Sequence, residues 1–178
     1  MITEELPDSH EWYRICDAAW ADPLADTYAQ QVGGRWNPPR SWRTLYLNED
    51  LVTARLNLER FTAGWPYEPE DLRPESAPHL AVATLPRRQT VADVHTPAGV
   101  KAVGLPATYP LRRDGTLVGH DVCQRVGARV HQQRLRGVRY RSAQALHGAG
   151  RELAWFPVTA RSRATLVARR AFDDWYWT

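Results

Sequence analysis

Residues 33 to 39, Gly-Gly-Arg-Trp-Asn-Pro-Pro, impose the strongest local constraint in the chain. Gly33 and Gly34 open positive-φ conformations and allow main chain to approach a neighbour or a ligand closely, while Pro38 and Pro39 stiffen the exit. The stretch therefore reads as a rigid loop that presents Arg35. A guanidinium held in this way suits an oxyanion, because its planar fork can make two parallel hydrogen bonds to a phosphate or pyrophosphate. Alone, the same residues also fit a tight turn with a surface arginine.

The flanking sequence alternates helical and strand patterns. After Asp50, an N-cap residue, Leu51, Ala54, Leu58 and Phe61 recur at helical spacing and predict an amphipathic helix over 51–62. "WYRI", "HLAVATLP", "TVADVHTP", "VRYRSA" and "ELAWFPVTA" read as strands or extended pieces. Val122, Val126 and Val130 repeat every four residues and predict a second helix from His120 to Leu135. The segment 63–78, rich in proline and acid, reads as an exposed loop. Interleaving of this kind predicts one compact α/β or α+β domain. A chain of 178 residues can bury roughly 70% of its unfolded surface, which suffices for one core. Trp175 and Trp177 are expected to dock the C-terminal tail.

Charge narrows the functional classes. The formal charge is +3, and of the 23 basic residues Lys101 alone is not arginine. These cations are spread along the chain, which gives a nucleic-acid footprint little support and leads us to expect no direct nucleic-acid partner. No apolar run reaches the roughly 18 residues of a membrane span, and the acidic start lacks the pattern of a signal peptide, so a cytoplasmic protein without membrane association is expected. Cys16 and Cys123 match no metal spacing and read as buried thiols. His95, His120 and His131 form no metal-ligand pattern; His120, beside Gly119 and Asp121, is the histidine best placed for a pocket.

The order "WYRI", then "GGRWNPP", then "TLYLNEDLVTARLNL" resembles the RES domain family, whose members are typically toxins of bacterial toxin–antitoxin modules paired with Xre-type antitoxins. "VADVHTPAGVKAVGLP" resembles the family's central segment, and "CQRVGARVHQQRLRGVRYRSA" its later helix and strand, so the resemblance runs roughly from residue 12 to 156. It implies a fold similar to ADP-ribosyltransferase toxins, with a mixed sheet and flanking helices. It also implies an activity that breaks the nicotinamide–ribose bond of NAD, with phosphate or water as acceptor and growth arrest as the result. NAD would then be substrate or ligand rather than a resident cofactor, inorganic phosphate a second ligand, and an Xre-type helix-turn-helix antitoxin the partner. By the same resemblance Arg14 and Arg35 hold the pyrophosphate or an incoming phosphate. Gly34, Trp36 and Asn37 belong to the nucleotide-binding loop, and Tyr46 stacks on the nicotinamide.

One position departs from the family pattern. The family glutamate, on the first helix after "LYL", falls on Asn57, an amide that can bind a ribose hydroxyl but cannot offset an oxocarbenium-like charge. Glu49 and Glu59 are outlying substitutes. The family serine falls on or beside Asp121, or on Ser142; Asp121 would cap its helix or supply the missing carboxylate. Two classes remain open: an NAD-cleaving enzyme, and a catalytically weakened protein of the same fold that binds a nucleotide or a partner.

Overall fold

The computed structural model describes residues 1–145 and 149–178. In chain order the elements are β1 (Thr3–Glu5), β2 (Trp12–Cys16), α1 (Thr27–Val32), β3 (Leu45–Asn48), α2 (Leu51–Thr62), β4 (His79–Thr84), β5 (Thr90–Val94), α3 (Pro97–Ala102), α4 (His120–Gln132), β6 (Gly137–Arg141), β7 (Arg151–Trp155) and β8 (Thr165–Arg170). The strands form one eight-stranded sheet in the order β1-β5-β6-β7-β3-β2-β4-β8. Its neighbours pair antiparallel except β5 and β6, which run parallel because α3 and α4 lie on the connection between them. The result is a mixed-sheet α+β domain, as the sequence pattern and the resemblance imply.

Strand alternation divides the apolar residues between two faces. On one face, Tyr46, Tyr140, Ala92, Val94, Val138 and Ala154 pack with Val100 of α3 and with Cys123, Val126 and Val130 of α4. Tyr13, Ile15, Leu80 and Val82 extend this face and meet Ala54 and Leu58 of α2. On the reverse face, Leu45, Leu47, Leu153, Trp12 and Trp155 pack with Leu6 and Leu24.

Helix α2 starts as its sequence predicts: Asp50 Oδ1 accepts a hydrogen bond from the Thr53 N–H at 2.6 Å, a cap worth about 1 kcal/mol. Its apolar stripe is narrower than expected. Ala54 and Leu58 are buried, whereas Phe61 is 72% exposed and meets Trp65 edge-on. At the C-terminus Trp175 is fully buried against Phe172, but Trp177 stays 56% exposed, so one of the two expected anchors docks.

Helix α4 lies directly on the Gly33–Pro39 loop. A Cβ at Gly127 would overlap the carbonyl oxygen of Trp36, so glycine is the residue that permits this approach. We expect Gly127→Ala to force α4 and the loop apart at a cost of about 1–3 kcal/mol, read as a lower denaturation midpoint in urea.

Candidate functional site

The loop that carries Arg35 is held by the Tyr46 hydroxyl. Tyr46 Oη accepts from the Trp36 N–H at 2.8 Å and donates to Asn37 Oδ1 at 2.8 Å. Asn37 in turn donates to the Ala29 carbonyl at 2.6 Å, and the Gly34 N–H donates to the Asn37 carbonyl at 2.8 Å, closing the turn. From α4, Gln124 donates to the Gly34 carbonyl at 2.9 Å. A side chain at Gly34 would collide with the Tyr46 ring. Burial raises the Tyr46 pKa far above its ordinary value, so the hydroxyl keeps the proton it donates.

Three residues of the expected nucleotide site take part in holding this loop. Trp36 and Asn37 are completely buried, and their surfaces are spent on packing and on the loop's own hydrogen bonds, so neither faces a ligand. Tyr46 fastens the loop, and its hydroxyl is committed to that task.

Arg35 emerges half-buried from the loop. Nη1 donates to the Val118 carbonyl at 3.1 Å, at the entrance to α4, with Cys123 Sγ at 4.0 Å. Among the described residues no partner takes the remaining N–H groups of the fork. No side chain caps α4, whose N-cap is Gly119, so its first N–H groups have no side-chain partner, beside Asp121 in the same turn. Burial first, and Arg35 second, lower the His120 pKa, which keeps that imidazole neutral at neutral pH. Burial also raises the Cys123 thiol against the pull of Arg35, so a thiolate nucleophile is not available there at neutral pH.

Next to this corner a row of polar side chains crosses the sheet. Tyr140 of β6 stands opposite Glu152 of β7, Glu152 opposite Asn48 of β3, and Asn48 opposite Tyr13 of β2. Directly opposed residues share a face, so all four lie on the helix-covered side of the sheet, Tyr140 against α4 and Asn48 and Glu152 within reach of Asn57 on α2. Tyr140 Oη donates to Glu152 Oε2 at 2.6 Å, and Asn57 Nδ2 donates to Glu152 Oε1 at 3.2 Å. Asn57 Nδ2 also bonds Asn48 Oδ1, and Asn48 Nδ2 donates to the Tyr13 carbonyl at 3.2 Å. Tyr46 is on the same face two residues from Asn48, a rise of about 7 Å along the strand. Tyr140 completes the link, since it also touches Trp36 and lies within the electrostatic reach of Arg35.

The other expected residues separate. Because Tyr13 faces Asn48, its neighbour Arg14 points to the reverse face, away from Tyr46. There Arg14 donates to the Ala25 carbonyl at 2.8 Å, lies 5.4 Å from the centre of the Trp20 ring, and has its pKa lowered by burial. Asp121 makes no capping hydrogen bond: its side chain is 68% exposed and pairs with Arg125 one turn on, at 3.2 Å. Ser142 is fully buried at the end of β6, on the Tyr140 face, where its Oγ accepts from the Gln144 N–H at 3.1 Å. Glu49 is drawn to the reverse face by a two-pronged pair with Arg139 at 2.8 and 2.5 Å. Glu59 is exposed on α2. His95 bonds Glu4 at 2.8 Å beside Asp93, and His131 stacks on Trp42 with ring centres 4.5 Å apart.

Asn57 opens onto a cavity of ≈ 430 Å³, lined also by Ile15, Trp20, Leu58, Phe61 and Trp65. That volume lies within the range of small-molecule sites, and its aromatic walls suit a planar ring. A second hollow of ≈ 370 Å³, on the reverse face around Asp26, Arg43, Trp155 and Arg163, contains none of the expected residues.

Sequence reading missed Glu152. Alternation in "RELAW" puts Glu152 and Ala154 on one face against Leu153 and Trp155 on the other, which marks a carboxylate on a core-facing position. Its meeting with Asn57 depends on strand order, which alternation does not reveal.

Tyr46→Phe would leave the Trp36 N–H and Asn37 Oδ1 without their shared partner. We expect a loss of roughly 1–3 kcal/mol in urea unfolding, with the fold retained by circular dichroism.

The RES domain family model matches residues 11–176, further toward the C-terminus than the motifs alone reach. No curated protein matches the chain. A chain of the M. tuberculosis MbcT–MbcA toxin–antitoxin complex superimposes with a TM-score of 0.76 at 24% identity, over 99% of this chain and 92% of that one. At that identity the likeness carries the fold. With nearly its whole length inside the family model, this chain belongs to the RES domain family.

Proposed function

We propose that the protein is the toxin of a toxin–antitoxin pair and that it breaks the nicotinamide–ribose bond of NAD. The observation that carries this reading is Arg35: a cation with unspent donors, on a loop fastened by Tyr46, next to a partly buried polar row that ends at an aromatic-lined cavity. Oxyanion recognition, ribose recognition and a slot for a planar ring thereby adjoin one another. Family membership and the fold shared with a chain of the MbcT–MbcA complex support the same reading.

In the reaction, the bond between the ribose anomeric carbon and the nicotinamide nitrogen breaks. The electron pair leaves with nicotinamide and neutralises its ring charge, while positive charge develops on the ribose. An oxygen of phosphate or water then forms the new bond to the anomeric carbon; water releases a proton, whereas dianionic phosphate needs no such loss. Arg35 and the free N–H groups at the start of α4 hold the pyrophosphate or the incoming phosphate. The Asn57 amide offers hydrogen bonds to the ribose hydroxyls, and the aromatic walls receive the ring. His120, neutral beside Arg35, leaves the arginine as the local cation.

The partner in this reading is an Xre-type antitoxin that silences the toxin by covering its site. A second reading rests on the missing charge at Asn57: a protein that binds the nucleotide but turns it over little.

Purified protein incubated with NAD should consume it, and the dependence of the rate on added phosphate identifies the acceptor. Arg35→Ala should lower kcat/KM by about 100-fold without loss of the folded signal. Failure of the unaltered protein to consume NAD overturns the enzymatic reading, and NAD binding without turnover selects the second.

A further inference from the structure

We propose that Glu152, on strand β7, supplies the carboxylate that position 57 lacks, and that Asn57 is an amide because Glu152 is charged. This rests on the NAD-cleaving reading above. The two side chains touch, Asn57 Nδ2 donating to Glu152 Oε1 at 3.2 Å. The hydrogen bonds around them run in one direction. Tyr140 Oη donates to Glu152 Oε2 at 2.6 Å, so both carboxylate oxygens act as acceptors, as an ionised glutamate requires. Burial, and then the nearby Glu152 charge, raise the Tyr140 pKa well above its ordinary value, which keeps that donor protonated.

Glutamate at position 57 would set two carboxylates against each other at this spot, and one would have to take up a proton to relieve the repulsion. The amide removes the repulsion and becomes a donor. The pair thus holds one negative charge and one amide, with the charge on the strand instead of the helix. Glu49, Glu59 and Asp121 do not reach this place: the first is bound to Arg139 on the reverse face, the others are exposed. Glu152 itself is half-buried, which leaves part of its surface open to a ligand while reducing the screening of its charge by water. Set beside a ribose held by Asn57, that charge would offset the cation that develops as nicotinamide leaves. The carboxylate is not consumed and forms no bond in this role.

The test is an exchange of charge. In NAD-consumption assays, E152Q should lower kcat by about 100-fold while KM for NAD changes less than about threefold, because the charge acts on the transition state. The double variant N57E/E152Q, which moves the carboxylate back onto α2, should recover activity above that of E152Q. Circular dichroism and urea unfolding establish which variants fold. E152Q within about tenfold of the unaltered protein, or a folded double variant without recovery, overturns the assignment of Glu152 while leaving NAD cleavage in place. Should E152Q fail to fold, the double variant decides alone, activity supporting the assignment and a folded, inactive protein overturning it. Absence of NAD consumption by the unaltered protein overturns the function and the assignment together.

Discussion

The hydroxyl of Tyr46 is the point on which the site's geometry depends. A single oxygen accepts from the Trp36 N–H and donates to Asn37, so it joins strand β3 to a loop that has no sheet or helix ladder of its own. Gly34 permits the ring to approach, Gly127 permits α4 to press on the other side, and Gln124 ties the two together. Each bond in this set is buried or partly buried, where an unpaired group costs more than a paired one gains. The loop is therefore held in one conformation, and Arg35 leaves it in one direction.

The sheet distributes its charges according to the same economy of pairing. On the reverse face, Arg139 sits between Glu49 and Glu4, and His95 joins Glu4, so the carboxylates there are matched by cations or by hydrogen-bond donors. On the helix-covered face, Glu152 is satisfied by neutral donors, Tyr140 and Asn57. A carboxylate with neutral donors keeps its negative field, whereas one paired with a guanidinium has most of that field cancelled. This difference separates a charge available to a ligand from charges that serve the fold.

Much of the fold is legible from local pattern. The span of α2 and its Asp50 cap, the core positions of α4, and the strands around Ile15, Val82, Val91, Tyr140 and Leu153 all follow from spacing and turn chemistry. Less was visible at the edges. Strands β1 and β8 lack a decisive apolar pattern, with much of their side-chain surface exposed, and the six-residue helices α1 and α3 are too short for periodicity to show. Phe61 continues a helical stripe in the sequence but extends past the sheet it would have covered, so it flanks the cavity instead of entering the core. Trp177 has the composition of an anchor, but Trp175 already fills the space behind Phe172.

For the site, the sequence by itself determined that a rigid glycine–proline loop presents Arg35, that Tyr46 follows it closely in the chain, and that position 57 carries no charge. These are properties of residue type and short-range spacing. Only the tertiary structure decided that Arg14 faces away from Tyr46, that Trp36 and Asn37 are buried, that Asp121 lies in solvent, and that Glu152 meets Asn57. The reason is register and strand order. A shift of one residue turns a side chain to the opposite face, and residues 95 positions apart become neighbours only because β7 pairs with β3 beneath α2.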